Sequence, residues 1–174
     1  MQTRTIPILS AAPALMLMLA VFSGACSKPR EISRLDRAEA DDRAAKAQVE
    51  KQFNDYAKAE TLLAEALEFN PDAYDHWADL ASVRLRLGKN QEARKACRQA
   101  VEACRRFIKQ NPGDIDARID QVRLLVSLGD RKAAREALDQ AGRELPENPI
   151  IRACIDNKLV EQLAADPDLP KLPE

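Results

Sequence analysis

The chain has 174 residues, a formal net charge of −1, 32% charged side chains and only 4% aromatic ones. That length suffices for one domain-sized core, and a near-neutral, evenly mixed charge argues against a nucleic-acid surface. Abundant Ala, Leu, Glu, Arg and Lys with only five Gly read as an all-α chain.

Residues 1–25 stand apart. Arg4 is their only charge, Ile8 to Gly24 is apolar, and the small residues Ser23-Gly24-Ala25 precede Cys26. A basic start, a short apolar run and small residues at its end are the pattern of an export signal, not of a spanning helix. Its removal leaves 149 residues with a charge of −2. The Cys after small residues resembles the lipobox of bacterial lipoproteins, with Ser23 standing where Leu is usual. The resemblance implies lipidation of Cys26, a membrane anchor, and outer-membrane sorting toward the periplasm because Ser27 rather than Asp follows. Stable acyl anchoring takes more than one chain. Ser23-Gly24-Ala25 equally fits ordinary signal cleavage, which would release a soluble periplasmic or secreted protein.

Residues 26–34 read as a polar tether, and helix is expected from about Ile32 through Phe53. Leu35, Ala38, Ala45, Val49 and Phe53 form a sparse apolar stripe on that helix. Two readings stand: a solvated N-terminal helix capping the rest of the domain, or a short self-association surface.

From there a pattern repeats. Phe53-Asn54-Asp55 is followed by Ala59, Leu63 and Ala66; Leu87-Gly88-Lys89 by Ala93, Cys97 and Ala100; Leu128-Gly129-Asp130 by Ala134, Leu138 and Ala141. The turns step by 34 residues and then by 41, seven more. A fixed period in this range, built of helix pairs, marks a solenoid array. Each trio lies at i, i+4, i+7, one helix face, and its small residues let a paired helix approach closely. Gly88 and Gly129 suit left-handed C-caps. Asn-Pro at 70–71 and 111–112 stops one helix and starts the next hairpin.

These residues resemble the tetratricopeptide repeat family over roughly 40–148. The middle copy carries Trp77, Leu80, Ala81, Gly88, Ala93 and Ala100 at the family's motif places, with Cys97 in an aromatic or aliphatic place. The first copy keeps Tyr56, Ala59, Leu63, Ala66 and Pro71 but has Arg43 and Lys46 where Trp and Leu are usual. The third keeps Gly129, Ala134, Leu138, Ala141 and Pro146 but has Arg118 and Gln121 there. The resemblance implies a right-handed α-solenoid of about three hairpins over 35–148, and a concave groove that holds a protein or peptide partner. Groove positions would be Ala44, Gln48 and Lys51, then Asp75, Ala78, Asp79, Ser82, Leu85 and Arg86, then Asp116, Ile119, Asp120, Arg123 and Val126. Asp75/Asp79 and Asp116/Asp120 recur at equivalent places, either as solvated first-turn acids or as an acidic strip for a basic partner segment. The basic clamp of chaperone-binding members is missing, since Ala44, Gln48, Ala78 and Ser82 hold its places.

The second helix of the middle repeat continues to Gln110, seven residues beyond the motif. That is about 10 Å of extra helix. Phe107 and Ile108 would then pack on the next repeat or overhang it, and Arg105, Arg106 and Lys109 would mark a docking end if they overhang. After Pro149, one helix from Ile150 to Ala164 is expected as a C-terminal cap (149–165), with Ile151, Ala153, Ile155, Leu159 and Leu163 near one face. The Pro-rich tail 166–174 reads as extended or disordered and solvated, with a role as a ligand for another domain as the sharper alternative.

Chemistry-bearing residues are few. Cys97 and Cys104 are seven apart on one helix, too far for a disulfide, and Cys154 lies beyond a further repeat. No zinc-ligand spacing occurs, and buried thiols acting as small apolar residues are the expectation. The sole His, His76, sits between Asp75 and Asp79: a base near two carboxylates invites a metal or acid/base reading, while first-turn acids favoured by the helix dipole are the plainer one. No phosphate loop or nucleophile elbow is present. The sequence thus implies a non-enzymatic scaffold with no cofactor and no metal. Its partners would be a protein or peptide and, through a lipid, a membrane, with no nucleic acid and no small-molecule substrate. An assembly or structural subunit of an envelope complex, acting through self-association, is the alternative.

Overall fold

The computed structural model describes residues 31–173. The expected signal 1–25, Cys26 and most of the tether lie outside the described residues. Eight helices follow in order: α1 (Arg34–Gln52), α2 (Tyr56–Phe69), α3 (Tyr74–Arg86), α4 (Asn90–Gln110), α5 (Ile115–Ser127), α6 (Arg131–Glu144), α7 (Pro149–Asp156) and α8 (Leu159–Ala165). No strand occurs among the described residues. Helices α1/α2, α3/α4 and α5/α6 pair as hairpins, and α2 against α3 and α4 against α5 stack them into a solenoid.

Local chemistry fixes the ends. Ser33 and Asp36 form a reciprocal capping box at the start of α1. Asp55, Asp114 and Asp130 each accept from the backbone N–H three residues on, and Asn148 caps α7 with Pro149 at its first position. Asn54, Gly88 and Gly129 turn the three hairpins with φ of 61°, 73° and 82°. Asn is the side chain that best tolerates this left-handed region.

The core is made of the expected trios. Ala59/Leu63/Ala66, Ala93/Cys97/Ala100 and Ala134/Leu138/Ala141 are all at most 6% exposed. Close approach of small residues removes most solvent from between the paired helices, so packing rather than bulk supplies the stability.

Three expectations change, and the packing face of α1 is now defined. Helix α1 packs through Ala40, Ala44 and Ala47, so Leu35, Ala38, Ala45, Val49 and Phe53 all face outward. The extra turns of α4 fold back on the start of their own hairpin. Phe107 meets Tyr74 with ring centroids 5.6 Å apart, and Arg106 donates twice to Asp72 at 3.0 and 2.7 Å. The C-terminal cap is two helices, broken at Lys158, whose φ is 52°. Ile151, Val160 and Leu163 are its buried residues, while Ala153 and Ile155 are exposed. Finally, the tail is not solvated: Leu169 and Leu172 are 8% and 7% exposed.

Candidate protein-binding face

The first helices α1, α3 and α5 carry the groove positions, which fall into two sections. Between α1 and α3, Lys51 Nζ donates to Asp79 Oδ1 at 2.8 Å and Gln48 Nε2 to Asp79 Oδ2 at 2.6 Å. A cavity of about 280 Å3 opens beside them, lined by Gln48, Lys51, Gln52, Tyr56, Ser82, Val83 and Arg86. The structure therefore gathers four of the expected residues, Gln48, Lys51, Ser82 and Arg86, at one opening. Ala44 and Val126, at 7% and 4% exposure, are spent on helix packing and do not line it.

Between α3 and α5, Asp120 accepts from Arg123 Nη1 at 2.9 Å and lies 3.5 Å from the Tyr74 hydroxyl. Burial raises the Asp120 pKa above the usual carboxylate range, against the opposing pull of Arg123. Asp75 and Asp116 stay exposed. The expected acidic strip is thus interrupted: its inner members Asp79 and Asp120 are half-buried and already hold basic partners, while the outer two stay exposed.

The same α3–α5 surface carries the tail. Asp168 N donates to Asp166 Oδ1 at 2.9 Å as the chain turns out of α8. Leu172 N then donates to the Ser127 carbonyl at 2.9 Å, and Arg94 Nη1 donates to the carbonyls of Leu172 at 2.9 Å and Pro173 at 3.2 Å. A cavity of about 140 Å3 is enclosed by Ala78, Ala81, Ser82, Cys97, Arg123, Leu124 and Ser127 on one side and Leu169, Pro170 and Leu172 on the other. Ser82 and Arg123, two of the expected binding residues, lie against this segment. Arg94 and Ser127 hold this segment, and repeat-position reasoning did not mark them. Arg94 belongs to a second helix, and Ser127 acts through its carbonyl, which no side-chain pattern reports.

His76 is buried at 5% exposure, with Nε2 3.6 Å from Asp41 Oδ1 and 3.9 Å from Asp75 Oδ2, and Nδ1 without a hydrogen-bond partner. No group of three His, Cys, Asp or Glu among the described residues is arranged to hold a metal ion. Cys97 Sγ and Cys104 Sγ lie 3.6 and 3.2 Å from the carbonyls of Leu124 and Ala117, tying α4 to α5, and Cys154 is half-buried.

Two family models described as tetratricopeptide repeat match residues 44–115 and 97–154, together well over half of the chain. The chain belongs to the tetratricopeptide repeat family. No curated protein matches it. The TPR2B-domain:pHsp70-complex of yeast Sti1 is similar at 18% identity over 73% of this chain and 94% of that one, with a TM-score of 0.45. The N-terminal domain of stress-induced protein-1 from C. elegans is similar at 18% identity over 75% of this chain and 98% of that one, with a TM-score of 0.47.

Tetratricopeptide arrays are protein–protein interaction modules, and the fold here is an α-solenoid of such repeats. Where this tetratricopeptide chain departs from the usual Trp, an Arg takes over. Arg43 lies 4.4 Å over the Phe69 ring and pairs with Glu39 and Glu65. Arg118 is 5% exposed and bonds the Pro112 carbonyl and Glu144.

Proposed function

We propose that this protein is a non-catalytic scaffold of the bacterial cell envelope that holds a partner polypeptide along its first-helix face. The observation that carries the reading is the tail itself. An extended, proline-rich segment already lies across α3 and α5, held by hydrogen bonds to its main chain and two buried leucines. The adjoining opening at Gln48, Lys51, Ser82 and Arg86 offers both donors and a cation for a longer segment. Family membership supports a binding role, and the export-type residues 1–25 with Cys26 support a lipid-anchored form facing the periplasm.

Photo-cross-linking from position 86 in the native envelope, with mass spectrometry of the captured chains, tests the reading. One or a few specific partners are expected, lost on competition with untagged protein; an array that captures none removes it. Substituting Cys26→Ala is expected to move the protein from the membrane to the soluble fraction. Unchanged partition would remove the lipid anchor and leave the scaffold.

A second reading, a structural or assembly subunit acting through self-association, is favoured by α1. Leu35, Val49 and Phe53 are 77%, 48% and 76% exposed on the outer side of the first hairpin. Large apolar side chains presented this way mark contact surfaces. Light scattering separates the readings: a monomer that Phe53→Lys leaves unchanged excludes this second one.

A further inference from the structure

We infer that Leu169–Pro173 is a built-in ligand of the α3–α5 face, and that an external polypeptide of the same register binds there by displacing it. That register is two aliphatic side chains three residues apart, each followed by proline. The inference rests on the scaffold reading and adds what the face selects.

The sequence of the tail dictates its shape. Pro167, Pro170 and Pro173 recur every third residue, each fixing φ and removing an N–H. Such a segment cannot pair as a strand and favours polyproline II, which has three residues per turn. Residues 169 and 172 then fall on one side. Burial follows that period, with Leu169 and Leu172 inside and Pro170, Lys171 and Pro173 outside. The two leucines enter different core clusters: Leu172 joins Ala81 and Cys97, Leu169 joins Val122 and Leu163. Beyond those side chains the face reads main chain only, at Leu172 and Pro173, through the Ser127 carbonyl and the Arg94 guanidinium. A proline-fixed segment loses little freedom on docking, so few contacts hold it.

The strap contributes its two leucines at the edge of the core and no helix of its own. The repeats close through their own alanines, and the strap adds one backbone hydrogen bond to α5 and the two from Arg94. Its short connection to α8 gives it a high local concentration, so it sets the affinity an outside segment must exceed. Lys171 points outward, so the selection is for the aliphatic pair and not for charge at that place.

The test uses a fluorescent peptide of residues 166–173, DPDLPKLP, titrated into the full chain and into its L169S/L172S variant. The variant is expected to bind about tenfold or more tighter than the unaltered chain, and a peptide with both leucines changed to serine to bind neither. Equal affinity for the two chains, or no binding to a variant that keeps its helical circular dichroism, overturns the proposal. Hydrogen exchange in the unaltered chain needs no variant. The Leu172 amide is expected to exchange at least about 100-fold faster than the amides of α3, as local opening requires. Exchange as slow as that of α3 makes the strap a permanent part of the core and overturns displacement. Partners cross-linked at position 86 without any peptide binding leave the scaffold and remove this proposal, whereas peptide binding with no cross-linked partner counts against the scaffold alone.

Discussion

The Arg118 guanidinium donates to the Pro112 carbonyl six residues upstream, from Nη2 at 2.7 Å. Trp77 Nε1 does the same to Pro71 at 2.9 Å, and Arg152 Nη2 to Pro146 at 2.8 Å. Helices α3, α5 and α7 each follow a proline whose carbonyl accepts from a long flat donor on that helix. Arg can therefore stand where Trp is usual: the hydrogen bond is kept and the ring is exchanged for an ion pair. The recurrence at Arg152 gives α7 the same kind of start as α3 and α5.

This relationship predicts unequal costs. Arg118→Ala empties the space of a side chain only 5% exposed and removes its bonds to the Pro112 carbonyl and Glu144, so a loss of about 2 to 3 kcal/mol is expected in urea unfolding. Arg152 is 60% exposed in its side chain. Its replacement by Ala is expected to cost under about 1 kcal/mol, since water takes over the carbonyl. Equal effects at the two positions would contradict the shared role.

The turns give a second prediction. A Cβ at Gly88 or Gly129 would meet nothing within 4 Å, so any cost of substitution comes from φ and not from space. Gly88→Ala and Gly129→Ala are each expected to lose about 1 kcal/mol. Gly113→Ala, equally open and without a positive φ, is expected to be neutral or slightly stabilising. Thermal or urea unfolding of the three variants checks the contrast.

Those turns were legible in the sequence because backbone strain is a local property that Gly and Asn announce. The faces of the helices were less so. The apolar stripe of α1 picks out its largest residues, Leu35, Val49 and Phe53, yet the helix buries Ala40, Ala44 and Ala47. These share the i, i+4, i+7 spacing of Ala59, Leu63 and Ala66, so the signal was small size at that spacing rather than hydrophobicity. The break at Lys158 carried no Gly or Pro to announce it. In the tail, proline content suggested solvent, and the period of three shared by its leucines and prolines was the stronger clue. The groove positions were placed by repeat alignment, but alignment is blind to what neighbours do with the charges, as Lys51 does with Asp79.

Glu60 on α2 gives a pH prediction. It accepts from Arg84 Nε at 3.0 Å and Lys89 Nζ at 2.5 Å across the α2–α3 interface. Burial pushes its pKa up, but the two cations outweigh burial and hold it below the ordinary glutamate value. A folded-state pKa below the unfolded one gives stability that is present above the unfolded value and lost as pH falls through the folded one. Glu60→Gln is therefore expected to cost about 1 to 2 kcal/mol at neutral pH and to flatten the acid limb of the stability curve. Asp120 has the opposite sign. Its raised pKa gives a contribution that is present below its unfolded value and lost as pH rises through the folded one, so Asp120→Asn should not weaken the fold at neutral pH. Urea midpoints from pH 3 to about pH 7 distinguish the two.

Thiol reactivity links the helix packing to the tail. Burial pushes Cys97 and Cys104 up to about 12 and raises Cys154 less, and only Cys154 has part of its surface open. The thiolate is the nucleophile, so among these three maleimide is expected to modify Cys154 first in the folded protein, Cys97 as the tail opens and Cys104 only on unfolding. Cys97 lines the cavity under Leu172, whereas Cys104 lies deeper along α4 against Ala117. Releasing the tail by L169S/L172S should therefore raise the labelling rate of Cys97 and leave that of Cys104 unchanged, as peptide mass mapping would show. If both rates rose together, the substitutions would have loosened the α4–α5 packing itself. If neither rose, the cover over Cys97 would come from Leu124 and the helices, and the tail would contribute nothing to it.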